Sequence, residues 1–114
     1  MPRKHPFPLT FHIQGAKWKV KLCKSVKDEE GHECRGLTDV SKRLIQIEAG
    51  LPESETEWVF WHEYCHALLH EASVVGNDGG LDLIVEEIIC DHFANAMTRD
   101  KTIKWKRRRK KVSK

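Results

Sequence analysis

The segment His62-Glu63-Tyr64-Cys65-His66 is an H-E-x-x-H string. On a helix, residues four apart share a face, so His62 and His66 offer two imidazoles one turn apart, with Glu63 beside them. Neutral imidazoles in that arrangement hold zinc, and the carboxylate is placed to take a proton from a water that the ion activates. Two histidines leave the coordination incomplete, so a third ligand must come from elsewhere. His70 lies on the same face. At 1.5 Å per residue, however, it stands ~12 Å along the axis from His62, too far for ~2 Å bonds to a common ion. It is expected at the surface or behind the ligands, at the end of the helix.

The segment Val85-Glu86-Glu87-Ile88-Ile89-Cys90-Asp91-His92-Phe93-Ala94 offers the missing acid. Glu87 shares a helical face with Cys90, Asp91 and Ala94, which are small or polar and allow close approach to a first helix. Glu86 shares its face with Leu83, Ile89, Phe93 and Met97, which points toward a core or an edge. Glu87 is the expected third ligand and Glu86 the alternative. Asp91, one turn beyond Glu87, is expected to accept a hydrogen bond from the free ring nitrogen of a ligand histidine, fixing its tautomer.

These residues need elements to position them. Leu9 to Gln14, ending at Gly15, reads as a short strand. Trp18 to Cys23 alternates apolar and basic residues with the period of a half-buried strand. Lys27 to His32 reads as a polar turn, Glu33 to Leu37 as a returning strand, Asp39 to Lys42 as a second turn and Arg43 to Glu48 as a third main strand. A small antiparallel meander is expected, with the edge of Arg43 to Glu48 available to hold an extended peptide. Gly50-Leu51-Pro52 ends the sheet. Ser54 is expected to cap the first helix in a capping box with Glu57, and that helix should run to about Glu71. Ser73 to Gly80 is glycine-rich and expected to be a flexible loop. A second helix is expected from Leu81 or Asp82 to Thr98, largely buried. The fold class is therefore α+β, with a sheet of about three antiparallel strands packed against two helices. Trp18, Trp58 and Trp61 are assigned to the core, as are Cys65 and Cys90 as small buried side chains. Cys23, His32 and Cys34 lie around one hairpin, but their spacing matches no common zinc finger.

His62 to Glu71, HEYCHALLHE, followed by a helix with Glu87-x-x-x-Asp91, resembles the gluzincin branch of the zincin metallopeptidases. More narrowly, HEYCHALLH resembles the HELGHALLH of the ImmA/IrrE-type metallopeptidases. Glu87 to Ala94 is similar to that family's E-x-x-A-N-x-F-A, and Gly36-Leu37-Thr38-Asp39 and Arg43 to Ile47 look like its turn-and-strand lead-in. The resemblance covers about Gly36 to Met97. It implies that His62, His66 and Glu87 bind zinc and that Glu63 is the general base of a peptidase. The chain departs from the pattern in three places. Cys90 and Asp91 stand where the family has alanine and asparagine. Ala96-Met97-Thr98-Arg99 stands where a Leu-Leu-Met-Pro closes the second helix. No helix-turn-helix domain precedes the motif in this sequence, so the substrates and partners of larger members are not carried over.

The 114 residues suffice for one small domain, here residues 1–100, zincin-like, followed by a basic tail, 101–114, expected to be flexible. Prolines at 2, 6 and 8 make the first eight residues an irregular arm without the apolar run of a signal peptide. No apolar run approaches a membrane span. The scattered cysteines suit a reducing compartment, so the cytoplasm is expected. The net charge of +3 hides an asymmetry: residues 99–114 hold ten of the 20 Lys and Arg, while residues 1–98 carry ten bases against 16 acids, a net of −6. The run Lys104 to Lys111 (KWKRRRKK) could contact nucleic-acid phosphates, with Trp105 stacking on a base. Two functions follow as expectations. One is a zinc-dependent metallopeptidase acting on a protein or peptide substrate. The other is a zinc-stabilised, non-catalytic nucleic-acid-binding or adaptor module using residues 104–111. Glu63 discriminates, because a purely structural zinc site needs no general base.

Overall fold

The computed structural model describes residues 7–75 and 80–100. The proline-rich arm up to Pro6, the centre of the glycine-rich loop and the basic tail lie outside the described residues, and so do the expectations attached to them.

β1 (Thr10–Ile13) and β2 (Ala16–Cys23) form an antiparallel hairpin with Ile13 paired to Ala16. Its two-residue loop has Gln14 at φ 51° and Gly15 at φ 86°. Two positive φ values make a type I′ turn, whose twist matches the flanking strands. β3 (Val26–Lys27) and β4 (Glu33–Cys34) form a separate ribbon. Asp28 closes its turn by accepting hydrogen bonds from the amides of Glu30 and His32, both at 2.9 Å. β5 (Gly36–Asp39) then turns into β6 (Leu44–Glu48), so the returning strand expected over residues 33–37 is in fact two strands broken at Arg35.

The main sheet has the order β1-β2-β6-β5. β6 is antiparallel to β5 but parallel to β2, so the sheet is mixed and not a meander. The physical reason lies in β6, whose Ile45 and Ile47 are completely buried. The most apolar strand takes the middle of the sheet, and the β3–β4 excursion gives the chain the length to bring it there parallel to β2. The edges of this sheet are β1 and β5; Arg43 to Glu48 is not an edge, because β6 is paired on both sides.

One face of this sheet carries Ile13, Trp18, Val20, Ile45 and Ile47, and Val59, Phe60 and Ala67 of α1 (Glu53–Glu71) pack on it. The opposite face carries Lys17, Lys19 and Lys21 and is exposed. Trp18 is wholly buried, yet its indole nitrogen donates to Glu71 Oε2 at 2.9 Å, which also pairs with Arg43 Nε at 2.6 Å. α1 starts one residue before Ser54. The N-cap is Pro52 (φ −56°, ψ 150°), and it makes no side-chain hydrogen bond. The chain is already helical at Glu53, so the expected capping box does not form. The first turn is served instead by its acids Glu53 and Glu55 at the positive end of the helix dipole.

α2 (Leu83–Asn95) begins with Asp82 as N-cap, its side chain accepting from the Val85 amide at 3.0 Å. The helix does not continue regularly to Thr98. It widens into a π-helical turn, Ala96–Asp100, in which the Thr98 hydroxyl donates to the Ala94 carbonyl at 2.8 Å. Nor is α2 largely buried: Glu86, Cys90 and Ala94 are its buried residues. Cys90 and Ala94 are small enough to let it lie close against α1. No helix among the described residues is long and apolar enough to cross a membrane.

Candidate metal centre

α1 and α2 bring the predicted residues to one point. His62 Nε2 and His66 Nε2 are 3.2 Å apart, and the Glu87 carboxylate lies 3.2 Å from each of them, through Oε1 and Oε2 respectively. Ligand atoms on a tetrahedral zinc with bonds of ~2.0 Å stand ~3.3 Å apart, so the spacing fits that ion. Among the described residues this is the group of histidines, cysteines and acids whose donor atoms converge closely enough to hold a metal.

Each of the two histidines turns its other ring nitrogen to a carboxylate. His66 Nδ1 is hydrogen-bonded to Glu86 Oε2 at 2.5 Å. His62 Nδ1 lies 3.0 Å from Asp91 Oδ1, but off the line of its N–H bond, so this buried nitrogen has no aligned hydrogen-bond partner. Asp91 thus stands beside His62, but the hydrogen bond expected of it is not made. Glu86 was the alternative ligand, but it lies on the far side of His66 from the convergence point, where it orients the ring. Its burial to 5% exposure agrees with the apolar face it shares in sequence. Carboxylates behind ligand imidazoles raise their basicity and fix their orientation. Burial pulls the His66 pKa down. Glu63, Glu86 and Glu87 around it outweigh that and leave it raised. Trp58, expected in the core, stacks on the His62 ring at 5.1 Å between centroids and donates its indole N–H to Asn95 at 2.9 Å.

Glu63 is 9% exposed. Burial raises its pKa above the ordinary carboxylate range, although the Thr38 hydrogen bond and the two histidines act in the opposite direction. The Thr38 hydroxyl reaches Glu63 Oε1 at 2.6 Å and the Glu63 carbonyl at 3.0 Å. Sequence spacing gave no sign of this contact, because its partners are 25 residues apart. Gly36 was missed in the same way. A Cβ there would lie 2.5 Å from Val59 Cγ1 and 3.0 Å from Glu63 Cγ, so only glycine lets β5 come this close to α1.

A cleft of about 620 Å³ opens over the centre. Its walls are β5 (Gly36, Leu37, Thr38), the α1 face with His62, Glu63, His66 and His70, and the start of α2 with Leu81, Leu83, Glu86 and Glu87. His70 is outside the convergence point, as its axial distance requires, and sits 3.8 Å from Glu86 Oε2. Cys65 and Cys90 are buried at the α1–α2 contact. Their mutual hydrogen bond, followed by burial, holds Cys90 far above the usual thiol range. Cys23, His32 and Cys34 do not form a second metal group.

Comparison with protein-family models, with curated proteins and with solved structures finds no match for this chain.

Proposed function

We propose that the chain is a zinc-dependent metallopeptidase that hydrolyses peptide bonds in a protein substrate. The observation that carries this reading is the meeting of His62 Nε2, His66 Nε2 and the Glu87 carboxylate at one point of a cleft, with buried Glu63 beside it. A structural zinc site has no use for a cleft or for a fourth residue of this kind. Zinc bound there would polarise a peptide carbonyl and acidify a water molecule.

In this reading His62, His66 and Glu87 hold the ion, and Glu86 and Asp91 orient the two imidazoles. Glu63 takes a proton from the attacking water and returns it to the leaving amine. Burial suits that double role, because a carboxylate with a raised pKa holds the proton long enough to deliver it. Thr38 keeps the Glu63 side chain from swinging away. β5 is hydrogen-bonded to β6 on one side, and Gly36, Leu37 and Thr38 line the cleft on the other. An extended substrate can add to that edge as a strand, so backbone hydrogen bonds align its scissile bond.

The test is Glu63→Gln, which keeps the shape and removes the base. Zinc should bind as in the parent, while cleavage of an unfolded protein substrate should fall by ~10²–10⁴-fold. Undiminished cleavage by this variant would reject the peptidase reading.

A further inference from the structure

The sheet face turned away from α1 is open along β1 and β2, where Thr10, His12, Lys17, Lys19 and Lys21 are all exposed. The three lysines occupy alternate positions of β2, so their side chains leave the sheet on the same side, ~6.8 Å apart. Their neighbours across the sheet are His12 and Thr10 of β1 and Leu44 and Gln46 of β6, so no carboxylate stands opposite any of them. The acids that this face does carry lie at its margins. Asp39 closes the turn from β5 to β6, accepting from Ser41 Oγ at 2.9 Å and from the Lys42 amide at 3.2 Å, and Glu48 ends β6.

A row of like charges repels itself, and opposite charges on the neighbouring strands would relieve it. Acids are plentiful in this body, since residues 1–98 carry a net −6, yet they are gathered on the helices and the β3–β4 ribbon. The row is therefore a positive line set apart on an otherwise acidic molecule, and a partner with a line of negative charge fits it. β2 is paired on both sides, so an acidic peptide laid over it would find no free backbone group and would leave its own amides unpaired. A bilayer would find no large apolar side chain to take up on this face of β1 and β2. A nucleic-acid strand carries its charges along its own backbone and needs only the line of cations.

We propose that the face bearing Lys17, Lys19 and Lys21 binds single-stranded nucleic acid through its phosphates. The bases are not read, because Phe11 and Trp18, the aromatic residues of these two strands, both turn to the core. This surface does not depend on the peptidase reading and is separate from residues 104–111. The candidate metal centre is on α1, on the other side of the sheet, so a bound strand leaves the cleft open.

Titration of the full-length chain into a fluorescein-labelled oligothymidylate, followed by anisotropy over a series of salt concentrations, tests it. Lys17→Glu, Lys19→Glu and Lys21→Glu together should weaken binding ~10-fold or more and reduce the slope of log K against log salt by ~2, at ~0.7 per phosphate contact. Lys24→Glu, Lys27→Glu and Lys42→Glu together make the same change of net charge at other exposed positions and should cost far less. Lys17→Arg, Lys19→Arg and Lys21→Arg together should bind like the parent. In the parent itself, the amide shifts that the oligothymidylate causes in NMR spectra should fall on Thr10–Ile13 and Ala16–Cys23. No binding by the parent, equal losses from the two charge reversals, or amide shifts confined to the cleft or to residues 101–114 would overturn the proposal. So would an oligoglutamate of equal charge that competes as well as the oligothymidylate, or binding to anionic lipid vesicles in its place.

Discussion

Glu86 and Glu87 are neighbours in sequence, yet they meet His66 from opposite sides. Glu87 approaches Nε2 at 3.2 Å and Glu86 approaches Nδ1 at 2.5 Å. Successive helical residues are turned ~100° from each other, so the sequence narrows the third ligand to this pair and no further. The choice depends on how α2 is rotated against α1, which is set by Cys90 and Ala94 packing into the contact. The different roles have a measurable consequence. Glu86→Gln should weaken zinc binding by ~10–100-fold, the usual effect of losing a partner behind a ligand. Glu87→Ala removes a donor atom and should weaken it more. Competition against a chromophoric chelator measures both, and the reverse order would make Glu86 the ligand. The i, i+4 histidines and their glutamate were legible because they are local. Thr38 and Gly36 were not, because their partners are distant in sequence and nothing about an isolated threonine or glycine names them.

Among the elements, periodicity revealed the two long helices and the main strands, but not the order of the sheet. Alternation says which residues of β2 face inward. It does not say that β6 enters between β2 and β5. The misassigned cap has a similar origin: Ser54 and Glu57 have the right spacing, but Pro52 already sets the entry angle and starts the helix at Glu53. Two contacts between elements make predictions. Gly36→Ala puts a methyl group against Val59 and Glu63 where α1 and β5 touch. Overpacking of this kind costs ~1–3 kcal/mol, and each kcal/mol should lower Tm by ~4–8 °C in a domain of this size, readable by calorimetry. Glu71 ties the end of α1 to β2 and to the start of β6. Its pKa is lowered, first by the Arg43 hydrogen bond and also by that from Trp18. A carboxyl group with a depressed folded pKa contributes stability above its unfolded value, near 4.5, and loses it as pH falls through the lower folded value. Acidification from above pH 4.5 down through the folded value should therefore destabilise the parent more steeply than Glu71→Gln in denaturant titrations at a series of pH values. Parallel curves would show that the contact gives no net stabilisation.

At the scale of the molecule, the packing is uneven. α1 lies on the sheet through Val59, Phe60 and Ala67, whereas the apolar contacts of α2 with α1 are those of Cys90 and Ala94 and of the Phe93 ring with Trp61 at 6.1 Å and Tyr64 at 6.3 Å. The remainder of the junction is polar and consists of His62, His66, Glu86, Glu87 and Asp91. The Glu87 carboxylate and the two ring nitrogens stand at 3.2 Å separations. If the chain binds zinc as proposed, an ion there would connect the two helices directly, and metal binding and the docking of α2 would be one equilibrium. Zinc at 100 times its dissociation constant should then stabilise the fold by about 2.7 kcal/mol. The gain should not be uniform. Removing zinc with a chelator should lower Tm and speed amide exchange along α2, while β2 and β6, held by Trp18, Ile45 and Ile47, stay protected. Glu63→Gln should keep the full zinc-dependent rise, because that residue is outside the coordination, and His62→Ala should abolish it. A Tm indifferent to zinc, or a loss of protection spread evenly over sheet and helices, would mean that the ion does not fasten α2 to α1.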